Sequence, residues 1–134
     1  MRRLQIKFEI INPATVHAAT AYSHAARMGD LIFVSGQVSQ DVNGEIIGKE
    51  DIRLQTEQVY RNLQAVLNAA GSELDLVGKS TVLTTSLDFR PLIGEVRDRV
   101  FESIVHVPPS AFMVVSSLAQ PDYLVEIEAV AAVR

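Results

Sequence analysis

Two glutamates near the C-terminus are the side chains whose spacing best suits chemistry. Glu126 and Glu128 stand two residues apart in the run LVEIEAVAAV (124–133), which is typical of a strand. Alternate strand residues project to the same side, about 6.6–7 Å apart. One ionised carboxylate raises the pKa of the other, so the pair could divide acid and base roles. The same spacing also fits two exposed glutamates that keep a strand soluble.

A phenol and an imidazole are similarly spaced in an earlier segment. Tyr22 and His24 would share one face of a strand predicted over residues 22–28. Such a pair can bind a polar ligand or move protons. A single histidine on a strand is equally compatible with a surface position or a hydrogen-bonded core position.

A glycine interrupts the apolar strand that follows. Gly36 lies between Ser35 and Gln37 at the end of the run LIFVSGQV (31–38). Glycine weakens strand packing, and in this position it indicates a bulge or a close approach of another group to the backbone. A ligand lying over Gly36 could accept a hydrogen bond from its amide.

Several kinds of chemistry have no motif in this chain. It contains no cysteine, which excludes disulfides, thiolate nucleophiles and cysteine-bound metals. Nucleophile-elbow, P-loop and dinucleotide-binding patterns are missing from the sequence, and no spacing resembles a metal site. We assign no role to His17 or His106, and we predict neither a metal nor a cofactor.

Composition limits the partners of the protein. The 134 residues carry a net charge of −4 and are 48% hydrophobic, which predicts one globular domain over residues 1–134. An acidic chain without basic clusters argues against nucleic-acid binding. No apolar run reaches the roughly 18 residues of a membrane helix, and the N-terminus lacks the apolar core of a signal peptide. We therefore expect a soluble cytoplasmic protein.

The elements that must position these residues follow from periodicity. Six strands and two helices are predicted in the order β-ββ-α-β-α-ββ, which favours an α+β fold with one mixed or antiparallel sheet. Asp51 and Gly71 are expected to cap the first helix. The predicted elements are strands around residues 4–8, 22–28, 31–38, 79–87, 111–116 and 123–133, and helices over residues 52–70 and 91–104.

The last strand predicts how the sheet is covered. One of its faces is wholly apolar and suits packing beneath two helices. The other face places two carboxylates between apolar ends, whereas a plain solvent-facing strand would be polar throughout. We interpret that second face as a subunit interface that encloses a polar pocket.

Three longer strings together resemble the YjgF/RidA family, also called L-PSP endoribonuclease-like or UK114-like. They are AYSHAARMGDLIFVSGQVSQD (21–41), QTEQVYRNLQAVLNAAGSELDLVGKSTVLTT (55–85) and LVEIEAVAAV (124–133). The resemblance runs from about Asn12 to the C-terminus. It implies a chorismate-mutase-like fold, a homotrimer with ligand clefts between subunits, and cofactor-independent hydrolysis of reactive enamines and imines.

The resemblance also implies roles for particular residues. Tyr22, Gly36 and Glu126 match the family's tyrosine, SGQ glycine and last-strand glutamate, which is thought to position or activate water. The family's substrate-binding arginine is not matched, because its position falls on Ser110, or on Ala111 if a gap near Pro121 shifts the alignment.

Loss of that arginine predicts a different ligand. A guanidinium binds a carboxylate through charge-assisted, bidentate hydrogen bonds, and Ser110 can offer only one neutral hydrogen bond. Glu126 would repel an anionic substrate unless Arg27 or Arg90 reaches the cleft. We therefore expect 2-imino acids to be poor substrates and a neutral or cationic ligand to fit better, with His24 helping to bind it.

Three functions remain open at this point. The first is a deaminase-type hydrolase of enamines or imines that uses Glu126. The second is a non-catalytic trimer that binds or senses a small metabolite. The third, a ribonuclease or translation inhibitor, is disfavoured by the acidic composition.

Overall fold

Six strands and two helices occur in the predicted order in the computed structural model, which describes residues 5–134. The strands are β1 (Phe8–Ile11), β2 (Ala25–Met28), β3 (Leu31–Gln37), β4 (Val77–Thr84), β5 (Ser110–Val114) and β6 (Val125–Ala132); the helices are α1 (Ile52–Ala69) and α2 (Arg90–Val100). The predicted α+β class is confirmed.

All six strands form one mixed sheet in the order β1-β2-β3-β6-β4-β5. Only the β4–β5 pair is parallel, and the other four pairs are antiparallel. Strands β2 and β3 form a hairpin, with Met28 paired to Leu31 across Gly29-Asp30. Gly29 adopts a φ of 62°, a left-handed conformation that glycine reaches without steric cost.

Helix α1 has both of its predicted caps. The Asp51 carboxylate accepts a hydrogen bond from the Leu54 amide at 3.1 Å, which satisfies one of the free donors of the first turn. Gly71 follows the helix with a φ of 80°, and the Ser72 amide then donates to the Leu67 carbonyl at 2.9 Å.

Strand β6 separates the covered face of the sheet from the uncovered one. Its residues Val125, Ile127, Ala129 and Ala131 are buried, as predicted. They belong to one core cluster that also contains apolar residues of both helices, and α1 packs against β3 and β6. The helices therefore cover one side of the sheet.

The opposite face carries Glu126 and Glu128 and is apolar over much of its area. The strand register places two apolar rows here, Phe8-Met28-Leu31-Ala132 and Ile10-Ala26-Phe33-Val130. Phe8, Met28, Leu31 and Phe33 are all exposed in the single chain. An apolar surface of this extent is typical of a face that meets another protein surface.

Two predicted strands begin later than expected. The first was placed around Leu4, Ile6 and Phe8; Leu4 lies outside the described residues, and β1 starts at Phe8. The second was predicted from Tyr22 and starts at Ala25, because the chain bends at residues 20–22 and 24, with a left-handed Ala21 at φ 64°.

The second helix is shorter than its apolar pattern predicted. It ends at Val100, and the buried Phe101 caps it. Ile104 then donates to the Phe101 carbonyl at 3.0 Å in a turn, so Ile104 packs against the core from outside the helix.

Candidate active site

Glu126 lies in a pocket of about 710 Å³ beside the end of β3. This volume falls within the range of small-molecule sites. The walls come from the loop before β2, the end of β3, the loop after it and the approach to β6. The lining includes His17, Tyr22, Ser35, Gly36, Asn43, Gln120, Tyr123 and Glu126.

Gly36 leaves room for the Glu126 side chain. A β-carbon at Gly36 would lie only 2.6 Å from Cδ and 2.8 Å from Cγ of Glu126. The β3–β6 register also shifts between Val34 and Gln37, which marks a bulge at this point. Both structural expectations for Gly36 are confirmed, although the group that approaches it is the Glu126 carboxylate.

The environment of Glu126 makes it a stronger base than a free glutamate. The side chain is half-buried, and burial raises its pKa by disfavouring the charged form; the nearby Glu128 carboxylate raises it further. Glu128 is the more exposed of the two. The two carboxylates thus differ in environment, and Glu126 alone lines the pocket.

No arginine or lysine pairs with Glu126 among residues 5–134. Arg27 donates from Nε to the Gly29 carbonyl at 2.9 Å, and its guanidinium lies 4.0 Å from Asp30. The guanidinium of Arg27 is therefore held at the β2–β3 turn. Among residues 5–134, no arginine or lysine lines the pocket.

Tyr22 reaches the same pocket from the loop before β2. Its Oη lies 3.1 Å from Nε2 of His17, and the residue is 45% exposed. Burial raises the pKa of the Tyr22 hydroxyl, and the Glu126 charge raises it further. Tyr22 is therefore a neutral phenol at physiological pH, near enough to Glu126 to respond to its charge.

The expected role of His24 as a ligand contact does not fit its position. His24 is only 1% exposed and does not line the pocket. One ring nitrogen, Nε2, contacts the His17 carbonyl at 2.7 Å, and the other, Nδ1, contacts Nε2 of Gln37 at 3.2 Å. His24 and Tyr22 do not share a strand face, because both precede β2. His24 instead supports the pocket wall through its contacts with His17 and Gln37.

Ser35 connects that support to the pocket. Its amide and hydroxyl both donate to the His24 carbonyl, at 2.9 and 3.1 Å. The side-chain amide of Gln37 donates from Nε2 to the Ser35 carbonyl at 3.2 Å. The SGQ segment is therefore bonded to His24, the residue before β2, and this helps to hold Gly36 in place beside Glu126.

Ser110 lies outside the Glu126 pocket. It opens β5, and its Oγ accepts a hydrogen bond from the Ser80 hydroxyl at 3.1 Å. Ser110 lines a separate hollow of about 180 Å³ together with Arg90, whose guanidinium lies 5.4 Å from the centre of the Phe112 ring. Within this chain, Ser110 and Arg90 therefore do not share a pocket with Glu126.

Sequence reasoning missed His17 and Tyr123. His17 was left without a role, yet it is buried against Tyr22. Tyr123 lines the pocket from the loop before β6, and burial raises its pKa. His17 stands five residues before Tyr22 in a loop with no periodicity, so the sequence held no signal that the two side chains meet.

Two features were sought in the described part of the chain, a metal-binding cluster and a membrane-spanning helix. Among residues 5–134, no group of three or more His, Asp and Glu side chains is arranged to hold a metal ion. No helix in the same range is long and apolar enough to cross a membrane.

The mixed six-stranded sheet with both helices on one face places the chain among the chorismate-mutase-like α+β domains. Solved structures of that fold match this chain along nearly its whole length. The sequence profile described as Endoribonuclease L-PSP matches residues 13–133. The chain belongs to this family, the YjgF/RidA family, as its motifs predicted.

Individual relatives agree with this membership. A RutC family protein from Sinorhizobium fredii is 40% identical over 116 residues, which cover 84% of this chain and 87% of the relative. The crystal structure of a Rid-family protein of unknown function from Yersinia pestis matches with a TM-score of 0.89 and 29% identity, covering 95% of this chain and all of that one. A 2-iminobutanoate/2-iminopropanoate deaminase from Dermatophagoides farinae is 27% identical over 94 residues, covering 70% of this chain and 73% of the relative.

Proposed function

We propose that this protein is a cofactor-independent hydrolase of small enamines or imines, in which Glu126 positions or activates the attacking water. The observation that carries the proposal is the half-buried Glu126 carboxylate, seated over Gly36 and open to a pocket of about 710 Å³. One relative in the family is named as a deaminase of imino acids. The reaction balances with water alone: Glu126 takes a proton from the attacking water and returns it to the imine nitrogen, a carbonyl forms at the imine carbon, and the nitrogen leaves as ammonia.

The electrostatics of Glu126 suit this role. A general base works best when its pKa approaches the working pH, and both burial and Glu128 move the pKa of Glu126 upward. Tyr22 supplies a hydroxyl in the same pocket, and the Gly36 amide is a further candidate donor. Ser35 completes the set that we assign to binding.

The proposal includes a homotrimer with the pocket closed by a neighbouring subunit. The uncovered sheet face leaves several large apolar side chains exposed beside Glu126 and Glu128, and burying them would drive association. A second copy of this chain is the occupant we propose for this face. We assign Ser110 to the neighbour's ligand, since it is exposed at the start of the edge strand β5 and outside the Glu126 pocket of its own chain.

The ligand class follows from charge. Glu126 has no paired cation among the described residues, so an anionic ligand would meet uncompensated repulsion. We propose neutral or cationic imines and enamines as substrates, with 2-imino acids turned over poorly. Arg90 is the residue that could replace the missing arginine, because it lines the same hollow as Ser110.

A non-catalytic binding protein is the second candidate. It is favoured by the same lack of a cation in the pocket, because the missing arginine would be needed for the imino-acid reaction. The pocket could then hold a metabolite without turnover.

One experiment separates these functions. We expect purified protein, without added metal or cofactor, to accelerate the release of ammonia from a panel of freshly generated neutral imines, with 2-imino acids at least about ten-fold slower, the cost of losing one charge-assisted contact. Saturable thermal stabilisation by panel members with no product would support the binding protein. Preferred turnover of 2-imino acids would contradict the proposed ligand class, unless Arg90→Gln removes it, in which case Arg90 replaces the missing arginine.

A further inference from the structure

His17 is a buried pocket residue to which the proposed chemistry gives no role. It is 4% exposed, and Nε2 lies 3.1 Å from the Tyr22 hydroxyl oxygen. Its backbone carbonyl is bonded to the ring of His24, whose edge packs against the His17 ring with 4.9 Å between ring centres. The imidazole is therefore held from two sides and directed at Tyr22.

The surroundings of His17 determine which ring nitrogen carries hydrogen. Burial lowers its pKa, and the neighbouring His24 lowers it further, so the ring is neutral and has a single N–H. Nδ1 is buried without a hydrogen-bond partner. A buried N–H without an acceptor is rare and costly, so the hydrogen belongs on Nε2, where Tyr22 can accept it.

This tautomer fixes the direction of the Tyr22 hydroxyl. The Tyr22 oxygen accepts from His17, which leaves its own hydrogen free. The titratable groups near Tyr22 are His17, His24, Glu126 and Tyr123, of which all but His24 line the pocket. The hydroxyl hydrogen is thus available to whatever occupies the pocket.

We infer that His17 is a positioning residue that directs the Tyr22 hydroxyl hydrogen into the pocket, so that the site selects a ligand with a hydrogen-bond acceptor facing Tyr22 and its reactive carbon facing Glu126. A neutral imine nitrogen or a carbonyl oxygen is such an acceptor, whereas an ammonium group is not. This inference rests on the proposed function, and it narrows the neutral or cationic ligands to those that keep a free lone pair at this position.

The first test needs no ligand. Long-range ¹H–¹⁵N correlation spectra of the wild type near pH 7.5 report the tautomer of each histidine, and His17→Gln assigns the signals. We expect a protonated Nε2 and a bare Nδ1 in His17. A protonated Nδ1 would overturn the inference, because Tyr22 would then donate to His17 and present no hydrogen to the pocket.

The second test uses two variants at the same position. His17→Gln keeps an amide N–H that can reach Tyr22, whereas His17→Leu keeps volume without a donor. We expect kcat/KM on the best neutral imine to fall about ten-fold in His17→Leu, a loss that corresponds to one hydrogen bond. In His17→Gln we expect it to fall about three-fold or less. Thermal unfolding of both variants serves as the control for folding.

The outcomes distinguish this inference from the proposed function. Equal losses in both variants, or none in either, would overturn the positioning role while leaving the hydrolase intact. A wild type without turnover on any imine would contradict the hydrolase. The role of His17 would then still be decided by its tautomer and by the thermal stabilisation that a neutral carbonyl compound gives. We expect that stabilisation to be weaker in His17→Leu than in His17→Gln.

Discussion

Glu126 and Gly36 are best understood together. The strand glutamate bends over a position where any side chain would occupy the same space. The glycine therefore does more than permit a bulge, because it provides the space in which a carboxylate is half-buried and its pKa raised. A residue with no side chain sets the chemistry of one with a long side chain.

Replacing Gly36 should cost activity more than stability. The atoms that a new β-carbon would meet belong to the flexible end of Glu126, so we expect Gly36→Ala to displace the carboxylate at a cost of only about 1–2 kcal/mol in the free energy of unfolding. We expect turnover of the best neutral imine to fall at least about ten-fold.

Gly78→Ala is the matched control, since its nearest neighbouring atom would be 3.9 Å away, and it should leave both turnover and melting temperature nearly unchanged. Full activity in Gly36→Ala would contradict the claim that the Glu126 carboxylate must lie over Gly36 for the protein to be active.

At the scale of elements, the sequence predicted the fold better than the pocket. The order of strands and helices follows from local periodicity, and the caps of α1 follow from Asp51 and Gly71. The start of β2 was misplaced because the left-handed Ala21 has no sequence signal. His24 was assigned to the ligand, whereas the bend before β2 directs Tyr22 to the pocket and His24 to the core. Contacts of this kind depend on loop conformation, which periodicity does not report.

Variants at the start of β5 test which residue occupies the position of the family's arginine. Ser110 faces the hollow beneath α2, whereas Ala111 pairs with Thr81, which in turn pairs with Glu128. We expect Ser110→Arg to raise 2-imino acid turnover at least about ten-fold, because a guanidinium would bind the substrate carboxylate. The measurement is kcat/KM on 2-imino acids relative to a neutral imine.

Ala111→Arg is the companion variant, one residue away and on the opposite face of β5. A gain in Ala111→Arg alone would assign the arginine position to residue 111. A gain in neither variant would contradict the electrostatic explanation of substrate choice.

At the scale of the whole molecule, the uncovered sheet face predicts the assembly. Phe33 lies in one of its apolar rows and is 41% exposed in the single chain. We expect a particle of about 44 kDa by light scattering, three times the 14.7 kDa of one chain. Phe33→Asp should shift it to monomer, because a charge would have to be buried in the interface.

Val105→Asp is the control, since Val105 is fully exposed in the turn after α2, away from the sheet face, and the variant should stay trimeric. A monomeric wild type would remove the neighbouring subunit from the proposed site.

The decisive measurement compares the two glutamates of β6. Glu126→Gln removes the base that faces the pocket, and Glu128→Gln removes an exposed neighbour on the same strand face. We expect kcat/KM on the best neutral imine to fall by about 10²-fold or more in Glu126→Gln and to stay within about three-fold of wild type in Glu128→Gln. Glu126→Gln should unfold no more easily than wild type at pH 7, because burial disfavours the charged carboxylate. Equal activity in the two variants would contradict the central claim that Glu126 performs the chemistry of this pocket.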